Sequence, residues 1–376
     1  MIQRLNEQSP WPTGTMEIIA QFVLGNVLFL EQDDVSVIHN TWTQQLIKVA
    51  SVVKQKNIQY ILIDCTMNPE IIDRVYNSKV PTRWQCLQDL NEICKTYYIT
   101  SDYTYYYNKH AWIQFFPAFL WTIGSRQVDE NFTNLPSRKY KTTYDTELIK
   151  NKGIMCLNRN LTWHRLYFFS LLAEQSWFDK ITYSFLNKIE NRLDAVCIKE
   201  FLNAQESERI KSLDHLLPIA VESERSVSKE QIPIMWFEGA SSVVTPEYKD
   251  HAINLVTETS MTEGIILTEK SCKPFMAYQI PVIVGPVGAN QFLHDIGLDM
   301  FEDIVPWRTW DSLTDHKLKM QKIVVWLGQL LSESNSAQHI LSIHQQCHTR
   351  LIKNKQRFHS PEFLDLLSRQ LNLEPG

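Results

Sequence analysis

Neither end of the chain carries an apolar run of about eighteen residues, so no segment reads as a helix that crosses a bilayer. Met1 to Glu7 lack the basic start and apolar middle of a secretory leader. The expectation is a chain that begins near Met1 and stays in the cytoplasm. Paired cysteines are missing too. The seven present, Cys65, Cys86, Cys94, Cys156, Cys197, Cys272 and Cys347, are odd in number and irregularly spaced, which fits reduced thiols rather than a disulfide frame. The sequons at Asn131 and Asn160 then read as chance matches. There is no excess of positive charge, and a net charge of −5 argues against a protein whose whole surface grips nucleic acid.

Several chemistries lose their support in the same way. The sequence has no Gly-x-x-x-x-Gly-Lys-Ser/Thr loop, no Gly-x-Ser-x-Gly elbow and no Gly-x-Gly-x-x-Gly turn, which removes the usual signs of a nucleoside triphosphatase, a hydrolase and a dehydrogenase. His339, His344, Cys347 and His348 cluster in sequence, with His344 and His348 one helical turn apart. No glutamate lies between them as in His-Glu-x-x-His, and the cluster reads as polar helix surface with no metal site. No cofactor is expected either.

What is present is a repeating strand-helix pattern in a chain of 376 residues, long enough for two domains because a single core rarely exceeds about 250–300 residues. Met16 to Leu30 is one long strand or two broken at Gly25-Asn26. Leu46, Val49 and Val53 recur at helical spacing before the strand Tyr60 to Asp64, which makes a β-α-β unit. A helix marked by Leu87, Leu90, Ile93 and Cys94 leads to a strand from Tyr97 to Asp102. Ligands of open α/β sheets bind beyond the carboxyl ends of strands, which puts Asp64 and Asp102 where an acceptor belongs, although such residues commonly cap turns. Tyr103 to Trp121 is the most aromatic stretch, suited to stacking on sugars or to a crowded core.

Ser137 to Lys152 is charged and aperiodic and reads as a linker. The pattern then restarts with a strand from Gly153 to Leu157, a helix striped by Leu166, Phe169, Leu172 and Ala173, and a strand from Ile181 to Phe185. Asn158, Arg159, His164 and Arg165 stand at that first strand-to-helix turn. The two arginines suit a diphosphate there, or cap the turn and pair with acids. Residues 186–232 read as polar and irregularly helical, with Glu206 to Arg209 or Glu222 to Lys229 as candidate exposed loops. Asp311 to Leu331 is expected as one helix with Leu318, Ile323, Val325, Trp326 and Leu330 inward, and Ile340 to Ile352 as another.

The most informative stretch runs from Ile253 to Pro286. Ile253–Val256 and Pro281–Val284 are short apolar runs that read as buried parallel strands. Between them Thr268 is a good N-cap, with Lys270 and Lys273 in the first turns, where backbone N–H groups and the helix dipole attract anions. Glu269 is placed to accept hydrogen bonds from ribose or sugar hydroxyls. Taken alone, these residues also describe an ordinary solvated helix start.

The full run is more specific. Glu258, a loop, Thr268-Glu-Lys270, then Lys273-Pro, then Pro281-Val-Ile-Val-Gly285-Pro resembles the donor-binding segment of glycosyltransferases with GT-B architecture, most closely the fucosyltransferase-like branch. Gly288 to Asp303 is similar to uncharacterised microbial members, and the likeness spans roughly residues 150–310. The resemblance implies an α/β fold of two Rossmann-like domains facing across a cleft. The expected divisions are 1–150 on the acceptor side, 151–335 for the nucleotide-diphosphate sugar, and 336–376 as helices packing back on the body.

It also implies direct displacement with inversion by a carboxylate base. Asp102 is the first candidate, with Asp64 and Asp33 behind it. Glu258 and Glu269 would meet sugar or ribose hydroxyls, Arg159, Arg165, Lys270 and Lys273 the phosphates, and Thr268 would belong to the same substrate-binding segment as the cap of its helix. With no Asp-x-Asp in the sequence, these protein cations would balance the departing diphosphate, a metal-independent arrangement. Retaining members carry two donor-site glutamates closer together than Glu258 and Glu269. The acceptor is expected to be a glycan or lipid-linked glycan in surface polysaccharide synthesis. The alternatives are modified DNA bases, which would need Lys54, Lys56, Lys139 and Lys141 on one face, or a non-catalytic interaction module.

Overall fold

The structure is a computed structural model, and it describes residues 3–4, 18–24, 27–32, 39–64, 83–100, 113–115, 147–158, 162–185, 201–219, 221, 246–259, 261 and 267–368. The chain divides into two compact units, one made of 1–121, 263–266 and 365–376, the other of 122–262 and 267–364. Both are α/β with parallel strands.

In the first unit, strands β1 (Gln3–Arg4), β2 (Ile18–Leu24), β3 (Val27–Gln32), β4 (Tyr60–Asp64), β5 (Lys95–Thr100) and β6 (Ile113–Phe115) form one sheet in that order. The apolar stretch before Leu30 is two strands, and their antiparallel register pairs Leu24 with Val27 across Gly25-Asn26. From β3 onward the neighbours run parallel. Helix α1 (His39–Lys56) makes the crossover from β3 to β4, and α2 (Arg83–Ile93) precedes β5. Val49, Ile61 and Leu90 are buried, as the apolar spacing requires.

The second unit is built on four parallel strands: β7 (Lys152–Asn158), β8 (Ile181–Phe185), β9 (His251–Thr257) and β10 (Ile280–Val284). Their spatial order is β10-β9-β7-β8. All seven residues of β9 and all five of β10 are buried, which is why these segments are continuous apolar runs rather than alternating ones. Pro281 lies in β10 at the edge of this sheet, where a missing N–H costs no ladder bond. Since β8 lies on one side of β7 and β9 on the other, the chain reverses its winding between β7 and β9. In open α/β sheets that switch point, beyond the carboxyl ends of the strands, is where ligands bind.

Helix α3 (Trp163–Ala173) follows β7 and buries nearly its whole length. Helix α4 (Ala204–Ser212) lies in the polar, irregularly helical stretch and takes in Glu206 to Arg209, which are helix rather than loop. Asn203 Oδ1 accepts from Glu206 N at 2.9 Å and the Glu206 carboxylate accepts from Asn203 N at 2.8 Å, a capping box that starts a helix even in a polar stretch. Helix α5 (Pro246–Asp250) leads into β9, and α6 (Glu269–Met276) joins β9 to β10. After β10 come α7 (Ala289–Asp295), α8 (Arg308–Asp311) and α9 (His316–Leu331).

The expected helix from Asp311 to Leu331 starts later, at His316, because Asp311 closes α8 and the Asp315 carboxylate caps a fresh start by accepting from Leu318 N at 3.0 Å. Its inward face also differs from the expectation. Met320, Ile323, Val324, Leu327 and Leu331 are buried, whereas Leu318 is 40% and Val325 62% exposed. The helix expected from Ile340 to Ile352 is likewise two, α10 (Ser336–Gln346) and α11 (His348–Phe358), followed by α12 (Pro361–Ser368). His344 is not on a polar surface. It is 1% exposed, and its Nε2 donates to Tyr278 O at 2.7 Å.

Candidate functional site

The polar residues of the second unit converge at the carboxyl ends of β7 and β9. Asn158 ends β7 and is 2% exposed. Its Nδ2 donates to the Tyr183 hydroxyl at 3.2 Å, and its Oδ1 accepts a short hydrogen bond from Thr257 Oγ1, which ties the ends of the two strands together. In the first turn of α3, His164 Nε2 donates to Glu258 O at 2.9 Å. Arg165 Nη2 donates to Thr257 O at 3.0 Å and Glu258 O at 3.1 Å. Both side chains are 2% exposed. Burial, with the adjacent Arg165, pushes the His164 imidazole down to about 3, so it is neutral. Burial also lowers the Arg165 guanidinium, against the pull of Glu258.

Arg165 is thus turned to the backbone rather than to solvent. That placement differs from the expected phosphate contact: its charge is used to hold the exit of β9. Arg159, Asp102 and Asp33 lie outside the described residues.

Glu258, the first residue past β9, is 0% exposed. Its Oε1 accepts from Thr268 N at 3.1 Å and from Ser271 Oγ. Its Oε2 accepts from Thr268 Oγ1 at 2.8 Å and Thr259 N at 3.1 Å. A carboxylate offers about four acceptor positions, and these four donors fill them. Gly285, just past β10, packs closely on this region: a Cβ there would lie 3.3 Å from Ala289 Cβ and Ile283 Cγ2, and in ordinary contact, 3.5 Å, with Glu258 Cγ. The expectation that Glu258 receives ligand hydroxyls meets a group already saturated from within.

Thr268 caps α6 as its sequence suggests, with Oγ1 3.4 Å from Lys270 N. Ser271 N bonds back to Thr268 O at 3.2 Å, so two of the first N–H groups of this helix are engaged internally. Beside this turn Lys270 Nζ lies 3.0 Å from Glu269 Oε1, 3.2 Å from Thr259 Oγ1 and 3.4 Å from Thr268 Oγ1. Lys270 and Glu269 keep side-chain exposures of 29% and 18%. They are the charged groups of this turn that solvent reaches. Lys273, one turn on, is buried with its ammonium 5.1 Å from the centre of the Tyr248 ring. Burial pushes it down to about 8, partly offset by Glu269.

The structure therefore brings Arg165, Glu258, Thr268, Glu269, Lys270 and Lys273 into one region. Thr259 and Ser271 belong to it as well and were not singled out from sequence. Ser271 gave no local signal, since its hydroxyl meets the Glu258 carboxylate rather than the start of its own helix.

In the first unit, Asp64 ends β4, and the parallel register sets it beside Glu31 of β3 and Ile99 of β5. Lys54 and Lys56 are exposed in the last turn of α1, while Lys139 and Lys141 lie outside the described residues. Among the described residues no group of three or more His, Cys, Asp or Glu is placed to hold a metal ion, and no helix is long and apolar enough to cross a membrane.

No family model matches the chain, and no curated protein matches it. Among solved structures, a glycosyltransferase from Rickettsia africae ESF-5 aligns with 90% of this chain and 84% of its own, at 12% identity and a TM-score of 0.36. So slight a likeness decides neither fold nor activity.

Proposed function

We propose that the chain is a glycosyltransferase of the two-domain GT-B kind, which moves a sugar from a nucleotide-diphosphate donor to a hydroxyl of an acceptor. One observation carries the reading: an accessible Glu269–Lys270 pair sits on a rigidly capped turn at the switch point of a parallel sheet, where such folds take their ligands. A carboxylate beside an ammonium suits a ligand with a diol next to phosphate. Glu269 would accept from the hydroxyls of the ribose or the sugar, and Lys270 would lie against the diphosphate. Thr259 Oγ1, already within 3.2 Å of Lys270 Nζ, would add a neutral donor.

Lys273 would contribute charge from behind without touching the ligand, and Arg159 remains the proposed second phosphate partner. As the glycosidic bond to the diphosphate breaks, charge grows on the leaving oxygens, and cations fixed there lower the barrier. Inverting displacement needs a base for the acceptor hydroxyl. Asp102 is proposed, with Asp64 as the alternative at the end of β4. Glycans or lipid-linked glycans are the proposed acceptors, and the transfer is proposed to need no metal and no cofactor.

Calorimetry of the whole chain against UDP-, GDP- and CMP-sugars tests the proposal. Saturable binding of a UDP- or GDP-sugar is expected, whereas binding of the CMP-sugar alone, which carries a single phosphate, would overturn the diphosphate. Lys270→Ala should weaken binding by about tenfold, or about 1.4 kcal/mol, with the melting temperature nearly unchanged. Binding to none of the three would instead favour a non-catalytic module. Unchanged affinity in the variant would remove Lys270 from the site.

A further inference from the structure

Glu258 poses a question that donor binding leaves open: a buried carboxylate, filled by four donors, lies directly beneath the accessible pair. We propose that Glu258 is a positioning residue of the nucleotide site, which sets the start of α6 from behind and so aims Glu269 and Lys270 without touching the ligand. This rests on the nucleotide-binding reading above.

The donors that fill the carboxylate come from both ends of the connection between β9 and α6. Thr259 N belongs to the exit of β9, while Thr268 N, Thr268 Oγ1 and Ser271 Oγ belong to the first turn of α6. One side chain therefore fastens both ends of that connection. The main chain of Glu258 is held as firmly. Its N donates to Val284 O of β10 at 3.0 Å, and its O accepts from His164 and Arg165 of α3. The position of the α6 start is referred through this residue to β7, β9 and β10 together. The two hydroxyls that steady Lys270 Nζ belong to Thr259 and Thr268, the residues whose backbone N–H groups Glu258 holds.

The acceptor geometry makes the role testable with a substitution that hardly changes shape. Each carboxylate oxygen accepts from one backbone N–H and one hydroxyl. A glutamine has one oxygen and one NH2. The hydroxyls of Thr268 and Ser271 can rotate and accept from an NH2, but a backbone N–H cannot turn round. In whichever orientation the amide settles, Glu258→Gln sets its NH2 against Thr259 N or Thr268 N, and one end of the connection is released.

The test measures binding of UDP, GDP and their 2′-deoxy and 3′-deoxy analogues by calorimetry, alongside melting temperatures, for the wild-type chain and Glu258→Gln. The expected result is a loss of affinity of about tenfold that is the same factor for every analogue of the nucleotide that binds. A factor that disappears when a ribose hydroxyl is removed would mean direct contact and overturn the proposal. Unchanged affinity with a lowered melting temperature would reduce Glu258 to a stabilising role and overturn it too. If Glu258→Gln does not fold, Ser271→Ala removes a single bond to the same carboxylate. A smaller loss, equally indifferent to the ribose hydroxyls, is then expected, and unchanged affinity overturns the proposal. Failure of the wild-type chain to bind either nucleotide is seen before any variant is made; it defeats the donor-binding reading itself and this proposal with it.

Discussion

At His164 the imidazole is neutral because burial, more than any neighbour, excludes the charged form, and the same cause pushes His344 down to about 4. Both folded values lie below the ordinary histidine value of 6.5. The unfolded chain therefore takes up protons that the folded chain refuses. Their stabilising contribution is complete above about pH 6.5 and is lost as pH falls toward 4 and then 3, by up to about 1.4 kcal/mol per pH unit for each group. The melting temperature should fall between pH 7.5 and 5. In His344→Gln, whose amide can still donate to Tyr278 O, it should fall less steeply. Equal slopes for the two proteins would show that His344 does not carry the effect.

Glu258 and Arg165 show where residue-level reading stops. Both looked like ligand contacts because a charged side chain at a strand's carboxyl end is well placed for one. Whether it faces solvent or its own backbone depends on which hydroxyls and carbonyls arrive from elsewhere in the chain. Glu269 and Lys270 stay accessible; the cap places them at the helix start, and only the longer run around them resembles a donor-binding segment.

Among the elements, α9 is the instructive case. Leu318 and Val325 were expected inward and are exposed, while Lys319 is 1% exposed. A lysine normally marks the solvent face, but here the side chain is buried and its ammonium reaches Gly285 O at 3.0 Å and Asp311 O at 3.2 Å. Burial pushes this amine down to about 8. The helix turned its lysine inward because two carbonyls were waiting, and no local pattern announces them.

The turn after α7 supports an element-scale prediction. Gly297 adopts φ +91°, and a Cβ there would come within 2.5 Å of the Arg357 guanidinium, which donates to Ile296 O at 3.0 Å. The side chain of Arg357 can move aside, but the left-handed backbone cannot be relieved in that way. Gly297→Ala should therefore cost about 1 kcal/mol or more and lower the melting temperature by a few degrees, without changing nucleotide affinity. A variant as stable as the parent would show that the turn is not constrained as described.

For the whole molecule, the division into two compact units implies that heat unfolding need not be a single event. Scanning calorimetry is expected to resolve two transitions. UDP or GDP at a hundredfold excess over its Kd should raise the one that belongs to the four-stranded sheet, by about 2.7 kcal/mol. A shift confined to the other transition would place the nucleotide in the wrong unit.

The sequence by itself determined the strands of this sheet and the turn that holds the accessible charges. Strands buried on both faces are written as unbroken apolar runs, and a helix start is written in its cap, both within a few residues. The tertiary structure alone decided the strand order that creates the switch point, the inward face of α9 and the withdrawal of Glu258 and Arg165 from solvent. Each of these turns on partners far apart in the chain, such as Ser271 for Glu258 and Gly285 for Lys319, and only folding brings such groups within hydrogen-bonding distance.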